Sequence, residues 1–122
     1  MNALLWTLQV LLAVVFAGSG AAKISRSKDQ LIASGQTGVA PFPLPVIRVT
    51  ALCELLGAVG ILVPRLVGIA QFLTPAAAAG FAIVMVGAIG SHAYLREPRN
   101  VALTSVIFIA AVTVAVGTAT IR

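Results

Sequence analysis

Long apolar runs alternate along the chain with short polar interruptions. Four runs stand out, at about 4–22, 46–63, 69–91 and 101–121, each at least 18 residues long. Only the second carries an ionisable residue far from its ends. Runs of this length match the hydrocarbon thickness of a bilayer, which a helix crosses in about 20 residues. In lipid such segments must be helices, because an unpaired strand would leave its backbone groups without partners. The expected architecture is therefore all-α: an integral membrane four-helix bundle forming one domain over residues 1–122.

Breakers divide the runs. Pro64 is expected to end the second helix, Pro98 precedes the fourth, and Pro75 either starts the regular part of the third or kinks it. The only long connection is 23–45, the first loop. Within it, Ser27 and Gln30 have capping-box spacing for a short helix through about Ser34. Gly35, Gly38, Pro41, Pro43 and Pro45 then exclude a regular helix. The small residues at 17–22 resemble a signal-peptide cleavage region. No basic residue precedes the apolar stretch, so it is read as a retained span.

Composition strengthens this reading. Hydrophobic residues make up 60% of the chain and charged residues 9%, against about 25% charged in an ordinary soluble domain. With a mean hydropathy of +1.09, both a soluble domain and a disordered chain are excluded. The net charge of +5 does not indicate nucleic acid, because the eight bases lie scattered at the ends of apolar runs. Lys23, Arg26, Lys28, Arg48, Arg96 and Arg99 fall at the loop end of the bundle. Arg65 and Arg122 fall at the end that holds both termini. Six bases against two place loops 23–48 and 92–100 in the cytoplasm and the termini outside, in the cell (inner) membrane. If Lys23 and Arg48 face the bundle interior, the count becomes four against two.

Candidate chemistry is confined to the few polar residues in the spans. Glu54 is the ninth residue of its run, near mid-membrane. A charged carboxylate there costs about 2.5–3.5 kcal/mol even on an insertion scale, so it is expected to face the interior with a partner. Lys23, Arg48 and His92 lie in the same half of the membrane and are the candidate partners. Arg48 and Glu54 are separated by about 9 Å of rise and about 120° of rotation, which excludes a direct i,i+4 pairing. The expected site is a pocket opening toward the loop end, with Glu54 at its floor and Lys23, Arg48 and His92 around its rim. Cys53 is the sole cysteine, so no disulfide or internal dithiol relay exists within one chain. His92 has no second His, Cys or carboxylate at ligand spacing, and no metal site is expected. No independent catalytic motif is visible.

The stretch Phe16-Ala17-Gly18-Ser19-Gly20-Ala21-Ala22-Lys23, closing the first helix, is similar to the Gly-x-x-Lys signature of the DoxX-like family. The segment 54–62, which begins at Glu54, resembles that family's second-helix motif, and His92 ends a third helix rich in small residues. The resemblance covers almost the whole chain. It implies a compact four-helix membrane fold with a polar cluster of Lys23, Glu54 and His92. It also implies a place as a subunit of quinone-linked membrane oxidoreductases or an accessory factor of membrane complexes. The thiol-handling relatives carry cysteines that this chain lacks.

Two functions are consistent with these residues. The first is an accessory or ligand-binding subunit that holds a quinone or other lipid-like molecule. A quinone head needs a donor to each carbonyl and a proton source, which Lys23, His92 and Glu54 supply. The second is a small proton-coupled transporter with Glu54 as the proton site. The expected partners are the lipid bilayer and either a second copy of the chain (a homo-oligomer) or a larger membrane complex. The glycine-rich third helix has more small surface than one small bundle needs to bury.

Overall fold

A computed structural model describes residues 2–120. Five α-helices follow in order: α1 (Ala3–Ser25), α2 (Lys28–Ala33), α3 (Leu44–Val67), α4 (Leu73–Tyr94) and α5 (Pro98–Ala119). A single 3₁₀ turn at Thr37–Val39 lies between α2 and α3. Four of the helices, α1, α3, α4 and α5, are long and apolar enough to cross a membrane. The fourth apolar run reaches residue 121, which lies outside the described residues, as does Arg122.

Local chemistry sets the boundaries. The Asn2 side chain accepts the Leu5 N–H at 2.9 Å and caps α1. In α2, Ser27 and Gln30 cap each other's backbone reciprocally. Pro98 opens α5, where its missing N–H costs nothing. Pro75 is the third residue of α4, still within the first turn, whose N–H groups have no intrahelical partner in any case.

Pro64 does not end α3, contrary to expectation. The helix runs one turn further to Val67 and is closed by Gly68 in the left-handed region (φ 70°). Pro64 cannot donate to the Gly60 carbonyl, and the hydroxyl of Thr74 on α4 reaches that oxygen instead, at 3.5 Å. The lost helix bond is thus partly replaced across the helix interface. Gly68 and Ala70 (φ 53°) turn the chain before Leu73, so α4 begins later than its apolar run.

The bundle consists of two intimate pairs, α1 with α3 and α4 with α5. The pairs meet through α3 against α4 and α1 against α5. Their shared core contains Leu12, Phe16, Ile61, Phe81, Met85 and Val114. At its centre the rings of Phe16 and Phe81 stack, with centroids 3.9 Å apart and planes 7° from parallel. Such a contact adds about 0.5–1.5 kcal/mol beyond area burial. Gly57 makes room for it, since a Cβ there would lie 2.4 Å from Phe81 Cε1. Outside, Leu56, Ile83 and Val106 stand exposed, as expected of a surface solvated by lipid tails. A small second core of Leu31, Val39 and Ile47 fastens the first loop onto the start of α3.

Candidate functional site

Lys23 lies in the last turn of α1, and its stem reaches back toward mid-membrane, the direction in which helical side chains lean. Its Nζ donates to Glu54 Oε1 at 2.6 Å. Glu54 is fully buried, and Lys23 is 14% exposed at the side chain. Gly20, one turn earlier on α1, brings the helices close enough for this pair. A Cβ at that position would come 2.9 Å from Leu55 Cγ and 3.0 Å from the Ala51 carbonyl. The Gly-x-x-Lys spacing therefore has a geometric meaning, with the glycine setting the approach and the lysine using it. The second carboxylate oxygen, Oε2, has no hydrogen-bond partner among the described residues.

Arg48 does not pair with Glu54. Its Nη1 donates to the Lys23 carbonyl at 2.5 Å, satisfying one of the free carbonyls at the end of α1. The cation also complements the negative end of that helix dipole.

His92 does not bond Glu54 either. It stands in the last turn of α4, and Glu97 lies closer, folded back by a tight turn in which Arg96 adopts φ 59°. His92 Nδ1 and Glu97 Oε1 are 2.8 Å apart. The same carboxylate oxygen accepts from Thr37 Oγ1 at 2.9 Å and from Asn100 Nδ2 at 3.4 Å. Ser91 Oγ donates to the Gly38 carbonyl at 2.5 Å. The imidazole lies against Gly38, where a Cβ would be 2.9 Å from Nε2. The carboxyl of Glu97 is held below its ordinary range by the His92 bond first and by Thr37 next, against a smaller opposing desolvation. Glu97, Thr37 and Gly38 were not among the expected site residues. The available signal was that Glu97 is one of only three acids and sits five residues after the only histidine.

Between these clusters lies a cavity of about 500 Å³, within the range of small-molecule sites. Its walls are mostly apolar, including Phe16, Ile47, Val84, Met85, Ala88 and Ile107. Lys23, His92, Thr50 and Asn100 give it a polar end beneath the first loop. This corrects the expected arrangement, in which Glu54 formed the floor and Arg48 part of the rim. Phe16 and Met85 are the deep residues, Glu54 lies behind Lys23, and Arg48 is turned to the end of α1.

The chain matches the model of the DoxX-like family over residues 7–115. No curated protein and no solved structure matches it. The family match extends over nearly all of the four spans and both polar clusters, and the chain belongs to the DoxX-like family.

Proposed function

We propose that this protein is a ligand-holding subunit of a membrane oxidoreductase complex, and that its cavity takes a neutral amphiphile of the quinone type. The observation that carries the reading is one apolar cavity with a donor-bearing end between Lys23 and His92. Charge balance favours a neutral head over a phosphate. The Lys23 ammonium is already matched by Glu54, and Glu97 lies beside His92. An additional anion would meet no uncompensated cation in the cavity wall. A quinone carbonyl asks only for hydrogen bonds. Lys23 has N–H groups beyond the one given to Glu54, and His92, whose Nδ1 faces Glu97, donates from Nε2 in the imidazolium form. When bound, a quinone would supply electron-carrying chemistry; the chain's own residues would orient its head and keep water from its deep end.

Membership of a larger assembly, or of a homo-oligomer, is supported by the outer face of α4. Gly80 and Gly90 are exposed there and open, so another helix could approach closely. A cytoplasmic loop end is supported by Arg26, Lys28, Arg96 and Arg99, with Lys23 and Arg48 discounted because both are engaged in the bundle. A reporter active only in the cytoplasm, fused after residue 122, should stay silent.

The test of ligand holding is equilibrium binding of a decyl-substituted benzoquinone to the protein in lipid nanodiscs. His92→Leu should weaken binding about tenfold, the worth of one hydrogen bond at roughly 1.4 kcal/mol. Lys23→Met combined with Glu54→Gln removes the second donor without stranding a charge, and should weaken it similarly. Absence of saturable binding to the parent protein would refute the reading.

A further inference from the structure

The row of α3 residues that faces α4 behaves differently along its length. Toward the termini it is tightly packed: Gly57 meets the Phe81 ring, and Gly60 lies 3.4 Å from Ala77 Cβ, measured from an added Cβ. One turn toward the loop end, Cys53 belongs to the same row but is exposed. Beyond it, Thr50 and Val46 line the cavity, and Val46 is exposed as well. On the flank of α4, Ile83 and Gly87 line the cavity and are both exposed, with nothing within 4 Å of a Cβ added at Gly87. Above the Gly57–Phe81 contact the cavity wall is thus exposed on both helices, at Val46, Ile83 and Gly87, and this exposed stretch is termed the slot.

The slot lies at membrane depth. Cys53 is the tenth of the 24 residues of α3, and Gly87 stands about 7.5 Å below His92 along α4. Its rim is apolar, with Val46, Ile83 and Val84. At the water end the first loop lies over the cavity, with Gly35, Gln36 and Gly38 in its lining, and is tied to α4 and the turn after it by Ser91 to Gly38 and by Thr37 to Glu97. A polar solute reaching the slot would have to cross hydrocarbon, whereas a molecule dissolved in the bilayer meets it directly.

We infer that the cavity fills sideways from the bilayer through this slot between α3 and α4. Its ligand is then an amphiphile whose head lies at Lys23 and His92 and whose hydrocarbon tail lies between Cys53 and Gly87. This inference rests on the ligand-holding reading and specifies the route and the tail.

The sole thiol provides the reporter. Alkylation of Cys53 by N-ethylmaleimide is timed in phosphatidylcholine nanodiscs, with and without a fully ring-substituted benzoquinone carrying a ten-carbon tail. Full substitution prevents addition of the thiol to the ring. The tailed quinone should slow alkylation at least threefold and saturably, and the same ring without the tail should not. Native mass spectrometry then follows how fast bound quinone appears. Gly87→Trp, which fills the slot, should slow uptake at least tenfold. Gly18→Trp, at an exposed glycine of α1 with equally open surroundings, should not. Quinone that binds without protecting Cys53, or that enters Gly87→Trp at the parent rate, would overturn the slot and leave the ligand-holding reading standing. No bound quinone in the parent protein would overturn both.

Discussion

The two halves of this bundle are built from the same kinds of helix and are held together in different ways. In the half near the termini, the helix pairs meet through apolar contact: Phe16 on Phe81, Phe81 in the notch at Gly57, and Leu5 over Gly117. In the half near the loops, the pairs are bridged by polar groups on an inserted loop, at Gly38, Ser91, Thr37 and Glu97. Close packing in lipid needs small residues opposite large ones, and where that match stops, the helices separate. The space so opened is the cavity. One half thus fixes the fold, and the other is free to hold something.

The largest expected effect lies at the junction of the two halves. Glu54→Ala strands the Lys23 ammonium in an apolar setting, and breaking a buried pair in this way costs about 3–5 kcal/mol. Thermal unfolding in mild detergent should show a large drop. The double variant Lys23→Met, Glu54→Gln should recover most of it. Equal loss in both would mean that the pair is not what joins α1 to α3 there.

A smaller effect is expected from overfilling the dry half. Gly57→Leu pushes side-chain atoms into a ring already fixed by stacking, and should destabilise by about 1–3 kcal/mol. Gly18→Leu, with nothing within 4 Å, should change stability by less than about 0.5 kcal/mol. Similar values for the two would contradict the claim that the terminal half is the tightly packed one.

The gentlest test concerns the loop half. Glu97 has a lowered pKa in the fold, so the stability it contributes is present above its ordinary value of 4.5. That contribution is lost as pH falls through the lowered folded value. Acidification across this window should raise amide exchange in residues 35–42 while leaving α1 and α5 protected. Glu97→Gln should show raised exchange in that loop at neutral pH and little further change on acidification. A pH-independent loop in the parent protein would remove Glu97 as its anchor.

Much of this was legible in the sequence. Bilayer-length apolar runs require helices, and a mid-membrane carboxylate requires an interior partner, so the spans and an interior Glu54 were legible, with Lys23 one of three candidate partners. The partners of Arg48 and His92 did not follow. Arg48 answers to a backbone carbonyl, which carries no residue-specific signal. His92 answers to Glu97 only because Arg96 adopts a left-handed turn, a local geometry that arginine rarely takes. The continuation of α3 past Pro64 was hidden for a similar reason, since the compensating hydroxyl, Thr74, comes from a different helix.

The central claim is that the loop half holds an amphiphile between the helix pairs. Photo-crosslinking with a decyl benzoquinone that carries a diazirine on its tail, followed by peptide mapping, tests it most directly. The account predicts adducts within residues 46–53 and 83–88, reduced by competition with the unlabelled quinone. Adducts confined to lipid-facing positions such as Leu56, Val59 and Val106, and insensitive to competition, would contradict it.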